Sequence, residues 1–258
     1  MAEAPARVFI TGASTGLGEA LARHYAARGA QVGVVARNRE RVDALAASLP
    51  GALPYACDVR DLDAVRAAAS YFIEHRGVPD LVIANAGISH GTLTEYPEDA
   101  AVFRDILEVN VMGMVHTFQP FVAAMRARGA GQLAGIASVA GIRGLPGASA
   151  YSASKAAAIR YLEALRIELH GTGVGVSAVC PGYIATPMTA RNPYPMPFLL
   201  EADDAARRIA RVIDARRRYA IVPWPMAIVG RIMNVLPAGV FEALASSAGR
   251  KPRRSPGV

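Results

Sequence analysis

Six short runs, RVFIT at 7–11, QVGVVA at 31–36, LPYAC at 53–57, DLVIAN at 80–85, GQLAGIAS at 131–138 and VGVSAVC at 174–180, alternate with longer Ala-rich stretches of helical period. The helical stretches lie near 17–28, 39–49, 61–76, 99–128 and 151–171. A strand with one wet face alternates apolar and polar residues, whereas these runs are apolar on both faces and must be covered on both. Such strands, separated by helices, form a parallel sheet between helical layers. The expected fold is therefore α/β, a single doubly wound Rossmann-type domain. No composition break, long linker or fixed-period repeat divides the 258 residues, so one domain over 1–258 is the simplest reading.

Composition narrows the function classes. Hydrophobic residues make up 52% and charged residues 19%, far from a disordered chain. Cys57 and Cys180 each end a strand run and read as buried thiols of a reducing compartment, since one pair is no disulfide framework. The opening MAEAPARVFITG lacks a basic stretch followed by a long apolar core, so a cytoplasmic protein is expected. A net charge of +7 suits nucleic acid, anionic membrane or phosphorylated cofactors. Much of it is local, in RRR at 216–218 and in the tail, and no metal-ligand spacing or RNA-binding aromatic pattern accompanies it. Neither a metal nor a nucleic-acid partner is expected.

The first strand runs into TGASTGLGEALARHYAARGA, with glycines at 12, 16 and 18. Glycines at a strand-to-helix junction permit a tight turn and let backbone amides approach a pyrophosphate at the positive end of the helix. Gly12, Ser14, Thr15, Gly16, Leu17 and Gly18 are the candidate phosphate contacts. No Lys followed by Ser or Thr succeeds the glycines, which disfavours a nucleoside-triphosphate loop. An NAD site places Asp or Glu at the end of the second strand, on the ribose 2′-hydroxyl. This chain has Ala36, Arg37, Asn38 and Arg39 there. A guanidinium suits a 2′-phosphate, so NADP(H) is expected over NAD, with Arg37 as the main contact and Ser14 as a helper. A solvated helix start is the plain alternative for Arg37, and dual specificity stays open.

TGASTGLG at 11–18, CDV at 57–59, ANAG at 84–87, Asn110 in LEVNVMG, Ser138 in IASVAG, YSASK at 151–155 and PGYIATPM at 181–188 follow one another in order. With this series the chain resembles the classical short-chain dehydrogenase/reductase family from residue 7 to about 190. The resemblance implies a seven-stranded sheet with its last strand near 219–223, and a catalytic set of Asn110, Ser138, Tyr151 and Lys155. Lys155 lies four residues after Tyr151, on the same helical face. A phenol titrates near 10, and a nearby ammonium is expected to draw it down and suit it to moving a proton at a substrate oxygen. Ser138, thirteen residues before Tyr151, can bond the carbonyl oxygen where charge develops. The resemblance further implies that Lys155 bonds the nicotinamide ribose and that Asn110 holds a water linking Lys155 to solvent. It places Asp58 on the adenine amino group, with helix capping as the plain alternative, and Thr186 on the nicotinamide carboxamide. Val59, Asn85, Ala86, Gly87, Pro181, Gly182 and Ile184 complete the expected cofactor contacts. The family's frequent NNAG is ANAG here; the second Asn, Asn85, is retained and is expected to steady the central sheet.

Beyond Pro181 the regular alternation fails. Residues 185–217 read as a Pro- and Met-rich substrate loop with a helix near 203–217, residues 219–248 as a last strand and two short apolar helices, and residues 249–258 as a basic tail. Candidate pocket residues are His90, Ile142, Arg143, Tyr183, Met188, Tyr194, Met196 and Phe198. Their character points to an apolar ketone, aldehyde or secondary alcohol, lipid- or steroid-like ones included. His90 is read as a solvated loop residue, and Arg143 either meets a carboxylate or lies exposed. From Ala220 to Ala245 the charges are Arg231 and Glu242, and prolines at 223, 225 and 237 argue against a spanning helix. Two readings follow: the interface and pocket lid of a homo-oligomer, or a patch that docks with the basic tail on a membrane surface. The rival from another functional class is a catalytically quiet NADP-binding redox sensor. A pure binder has no need of Asn110, Ser138, Tyr151 and Lys155 together.

Overall fold

The computed structural model describes residues 5–190, 192–247 and 249–253. The chain opens with β1 (Arg7–Thr11), α1 (Gly16–Ala26), β2 (Gln31–Ala36), α2 (Arg39–Ala47), β3 (Leu53–Ala56), α3 (Leu62–Arg76) and β4 (Leu81–Ala84). Helix α4 (Asp99–Leu107), a π-turn at Glu108–Met112 and α5 (Gly113–Arg128) lead to β5 (Gly131–Ile136). A short 3-10 turn (Val139–Gly141), α6 (Ser149–Glu168) and β6 (Val174–Pro181) follow. The chain continues through β7 (Ile184–Ala185), β8 (Leu200–Glu201), α7 (Ala202–Asp214), β9 (Tyr219–Val222), α8 (Trp224–Val235) and α9 (Ala238–Ser246). Seven strands form one parallel sheet in the order β3-β2-β1-β4-β5-β6-β9.

Alternation along β1 shows how the strands serve two cores. Val8 and Ile10 point to one face, where Leu17, Leu21 and Tyr25 of α1 and Ile209 and Ile213 of α7 cover them. Phe9 points to the other, among Phe72 of α3, Phe118 and Phe121 of α5, and Leu162 of α6. Gly33 of β2 makes room for this aromatic cluster: a Cβ there would lie 2.8 Å from Phe72 and 2.9 Å from Phe9. Strand order reverses between β1 and β4, where the helices leave to opposite faces and open a crevice at the carboxyl ends of the strands.

The helix expected over 99–128 is interrupted by the π-turn around Asn110. The small parallel pair of β7 and β8 falls in the stretch expected to be irregular. Strand β9 and the two apolar helices lie where expected, and no helix among the described residues is long and apolar enough to cross a membrane. Cys180 is fully buried in β6, but Cys57, just past β3, is only half-buried because the sheet edge ends there. The described part of the basic tail, 249–253, lies against the loop after β4, with Arg253 bridged to Gly91; residues 254–258 lie outside the described residues.

Candidate active site

The crevice is a cleft of about 630 Å³, and every expected cofactor residue lines it. At one end lies the turn from β1 into α1. Gly12 and Gly16 take φ values of +67° and +56°, which a side chain would strain. A Cβ on Gly12 would lie 2.6 Å from Ala86 Cα, and one on Gly18 would meet the Gly12 carbonyl. Thr15 caps α1 without a side-chain hydrogen bond, so the first-turn amides remain available to an anion in the cleft. Asn85 holds the turn in place, donating through Nδ2 to the carbonyls of Thr11 and Gly12 at 3.1 Å each. Thr186 faces the turn from across the cleft, its Cγ2 3.0 Å from where a Gly16 Cβ would be.

The charged wall lies at the carboxyl end of β2. Arg37 lines the cleft as expected, and so does Arg41, which the sequence reading missed. The missed signal was the spacing: Arg37 and Arg41 are four apart, and Asn38 Oδ1 caps α2 by accepting from Arg41 N at 2.9 Å. Asp58 is also in the wall, but its carboxylate is held by Arg60 through Nε at 3.0 Å and Nη2 at 2.8 Å. Burial pushes the Asp58 carboxyl up, and the Arg60 bonds outweigh burial and hold it below the ordinary value.

The opposite end of the cleft is formed by Ser138, Tyr151 and Lys155. Ser138 is buried and caps the 3-10 turn, its Oγ accepting from Ala140 N at 3.1 Å and keeping its own proton to donate. Tyr151 stands in the first turn of α6, and Lys155 one turn later is buried, with Nζ donating to the carbonyl of Ile136 at 2.8 Å. Burial pushes the Lys155 ammonium down to about 8. Burial also raises the Tyr151 phenol, with a hydrogen bond from Ser138 opposing. The expected lowering of the phenol by Lys155 is not seen: burial outweighs the opposing bond from Ser138, while the ammonium donates to the Ile136 carbonyl and lies 5.8 Å from the tyrosine ring centre.

Asn110 is fully buried behind this trio and does not line the cleft. Its Oδ1 accepts from Ile88 N at 2.8 Å, and its Nδ2 donates to Ile88 O at 3.0 Å and to Ser154 Oγ at 2.9 Å. The π-turn brings the side chain to these partners, bracing the loop after β4 against α6. Both amide protons are committed, so a bound water has the second lone pair of Oδ1 to use.

Of the candidate pocket residues, Met188 lines the cleft. Tyr183 and Tyr194 pair beyond it with ring centres 6.4 Å apart, and Asn192 Nδ2 contacts the Met196 sulfur at 3.6 Å. Phe198 is half exposed at φ +57°. Arg143 is not free: it donates to Leu236 O at 3.3 Å and stacks over Phe241 at 4.4 Å, fastening α9. Ile142 packs beside Gly230 of α8.

Residues 6–195 match the short chain dehydrogenase family. An uncharacterized oxidoreductase of Myxococcus xanthus is 38% identical over 240 residues, spanning 92% of this chain and 94% of its own. A crystal structure of an actinorhodin polyketide ketoreductase with NADPH superposes with a TM-score of 0.76 at 28% identity, covering 86% of this chain and 97% of that one. An alcohol dehydrogenase of Thermococcus sibiricus complexed with 5-hydroxy-NADP gives 0.75 at 26% identity, covering 84% and 95%.

Proposed function

The chain belongs to the short-chain dehydrogenase family, and on that premise we propose that it is an NADP(H)-dependent reductase converting an apolar ketone or aldehyde to the alcohol. One observation carries the reading. Ser138, Tyr151 and Lys155 close one end of a cleft whose other end offers uncapped helix amides and the guanidinium groups of Arg37 and Arg41. The close approach that Gly12 and Gly18 permit, and the absence of a carboxylate at the end of β2, fit a phosphorylated dinucleotide. The NADPH and 5-hydroxy-NADP in the two similar structures support the same cofactor.

The glycine turn and the first-turn amides of α1 would hold the pyrophosphate, Arg37 and Arg41 the 2′-phosphate, and Asp58, still open to one more bond, the adenine edge. Thr186 would meet the carboxamide across from Gly16. The nicotinamide, when bound, supplies the hydride. Ser138 turns its hydroxyl proton from Tyr151 to the substrate carbonyl oxygen, and Tyr151 passes the phenol proton to that oxygen as charge develops. In the reductive direction the protonated phenol is the donating form. Lys155, with donors left beyond its bond to the Ile136 carbonyl, would bond the nicotinamide ribose, while Asn110 positions α6 through Ser154.

The test is NADPH oxidation, followed by absorbance, across a panel of apolar ketones and aldehydes with NADH as the control. Turnover with NADPH and little with NADH is expected; tight NADPH binding without turnover of any carbonyl would favour a sensor.

A further inference from the structure

The segment 249–253 lies against the loop after β4 and beside Tyr151 and Tyr194. Gly91 N donates to the Pro252 carbonyl at 2.8 Å, alongside the Gly91–Arg253 bridge. Arg253 is the anchor. Its Nε and Nη2 take the two carboxylate oxygens of buried Asp99 at 2.8 and 2.9 Å, Nη2 reaches Glu98 at 2.8 Å, and the guanidinium lies 3.4 Å from the Tyr96 ring centre. A planar fork on a buried carboxylate is a geometric anchor rather than a loose surface pair. Glycines allow the close approach: a Cβ on Gly147 would lie 3.0 Å from Lys251 N, and one on Gly249 would lie 2.9 Å from Tyr194 Cβ.

This clamp places Lys251 Nζ 5.7 Å from the centre of the Tyr151 ring, as near as Lys155. Lys251 is half-buried, and burial lowers its ammonium. Among the described residues it has no carboxylate partner, since Glu98 and Asp99 are held by Arg253. A half-buried ammonium without a counter-ion is unfavourable unless a ligand supplies one. We infer that the 249–253 strap forms the outer wall of the substrate site and that Lys251 there recognises a carboxylate carried by the carbonyl substrate. This rests on the reductase reading above and refines it: the substrate is an oxo acid, its apolar body toward the Tyr183–Tyr194 pair and its carboxylate a few bonds from the oxygen that meets Tyr151. The flexible lysine stem accommodates that spacing.

The experiment compares aryl-substituted 2-, 3- and 4-oxo carboxylates with their methyl esters at saturating NADPH. The wild-type chain should reduce at least one acid about 10-fold or more efficiently than its ester, the range of a charge-assisted bond. Lys251→Met should lower kcat/KM for that acid about 10- to 100-fold, mainly through KM, and change kcat/KM for the ester far less. Lys251→Arg should retain much of the preference, and Arg253→Ala should weaken it by releasing the strap. Equal effects of Lys251→Met on acid and ester, no effect on either, or a wild-type preference for esters would overturn the inference. Turnover of simple ketones with none of any oxo acid overturns it alone; no turnover of any carbonyl overturns the reductase reading as well.

Discussion

Lys155 Nζ lies 5.8 Å from the centre of the Tyr151 ring, held there by its bond to the Ile136 carbonyl. The lysine is buried, and its ammonium is pushed down to about 8 from an ordinary 10.5. Between those values the unfolded chain binds more protons than the folded one, so this group makes stability rise with pH from 8 to 10.5 and imposes its full cost below 8. The cost is roughly 3 kcal/mol. Lys155→Met removes it but orphans the Ile136 carbonyl, at about 1–2 kcal/mol. The variant should therefore lose turnover yet melt a few degrees higher at pH 7, an advantage that disappears toward pH 10. Thermal melts of both proteins across this range check it; an unchanged difference would show that Lys155 is not buried as a charge.

Arg37 and Arg41 present two guanidinium groups to one wall of the cleft. Removing either should weaken NADPH binding about 10-fold, and the Arg37→Ala, Arg41→Ala double variant about 100-fold, at 1.5–3 kcal/mol per charge-assisted bond. Binding of NADH should barely change. Titration of cofactor fluorescence measures both, and equal losses for the two cofactors would place the arginines outside the 2′-phosphate site.

Gly18 packs its Cα against the Gly12 carbonyl and the Asn85 amide, leaving no room for a methyl group. Gly18→Ala should shift the turn, costing about 1–3 kcal/mol of stability and raising the KM for cofactor more than for the carbonyl substrate. A melt and a pair of KM values decide it. Gly29→Ala is the control, because nothing lies within 4 Å of a Cβ there, although its φ of +86° carries some strain.

The sheet was legible because two-faced apolar runs admit few arrangements, and the cleft because glycines, Tyr151 and Lys155 sit in a motif series. What stayed hidden depends on distances that no local pattern encodes. Helical periodicity runs straight through Asn110, yet its bonds to Ile88 and Ser154 accompany a π-turn. Arg41 looked like an ordinary helix residue until α2 was placed over the cleft. The sign of the Tyr151 shift turned on how deeply the fold buries the phenol, which the local motif does not encode. Arg253 read as tail charge because its partners, Glu98 and Asp99, are more than 150 residues away.

The central claim is that the Tyr151 phenol delivers the proton in an NADP(H)-dependent reduction. Tyr151→Phe keeps the ring and removes the hydroxyl, so single-turnover oxidation of bound NADPH by a reducible ketone tests it directly. The account predicts unchanged NADPH affinity and a rate lowered by about 100- to 10,000-fold, the usual contribution of a positioned acid. A variant that oxidises NADPH at near the wild-type rate would contradict the account and move the proton donor away from Tyr151.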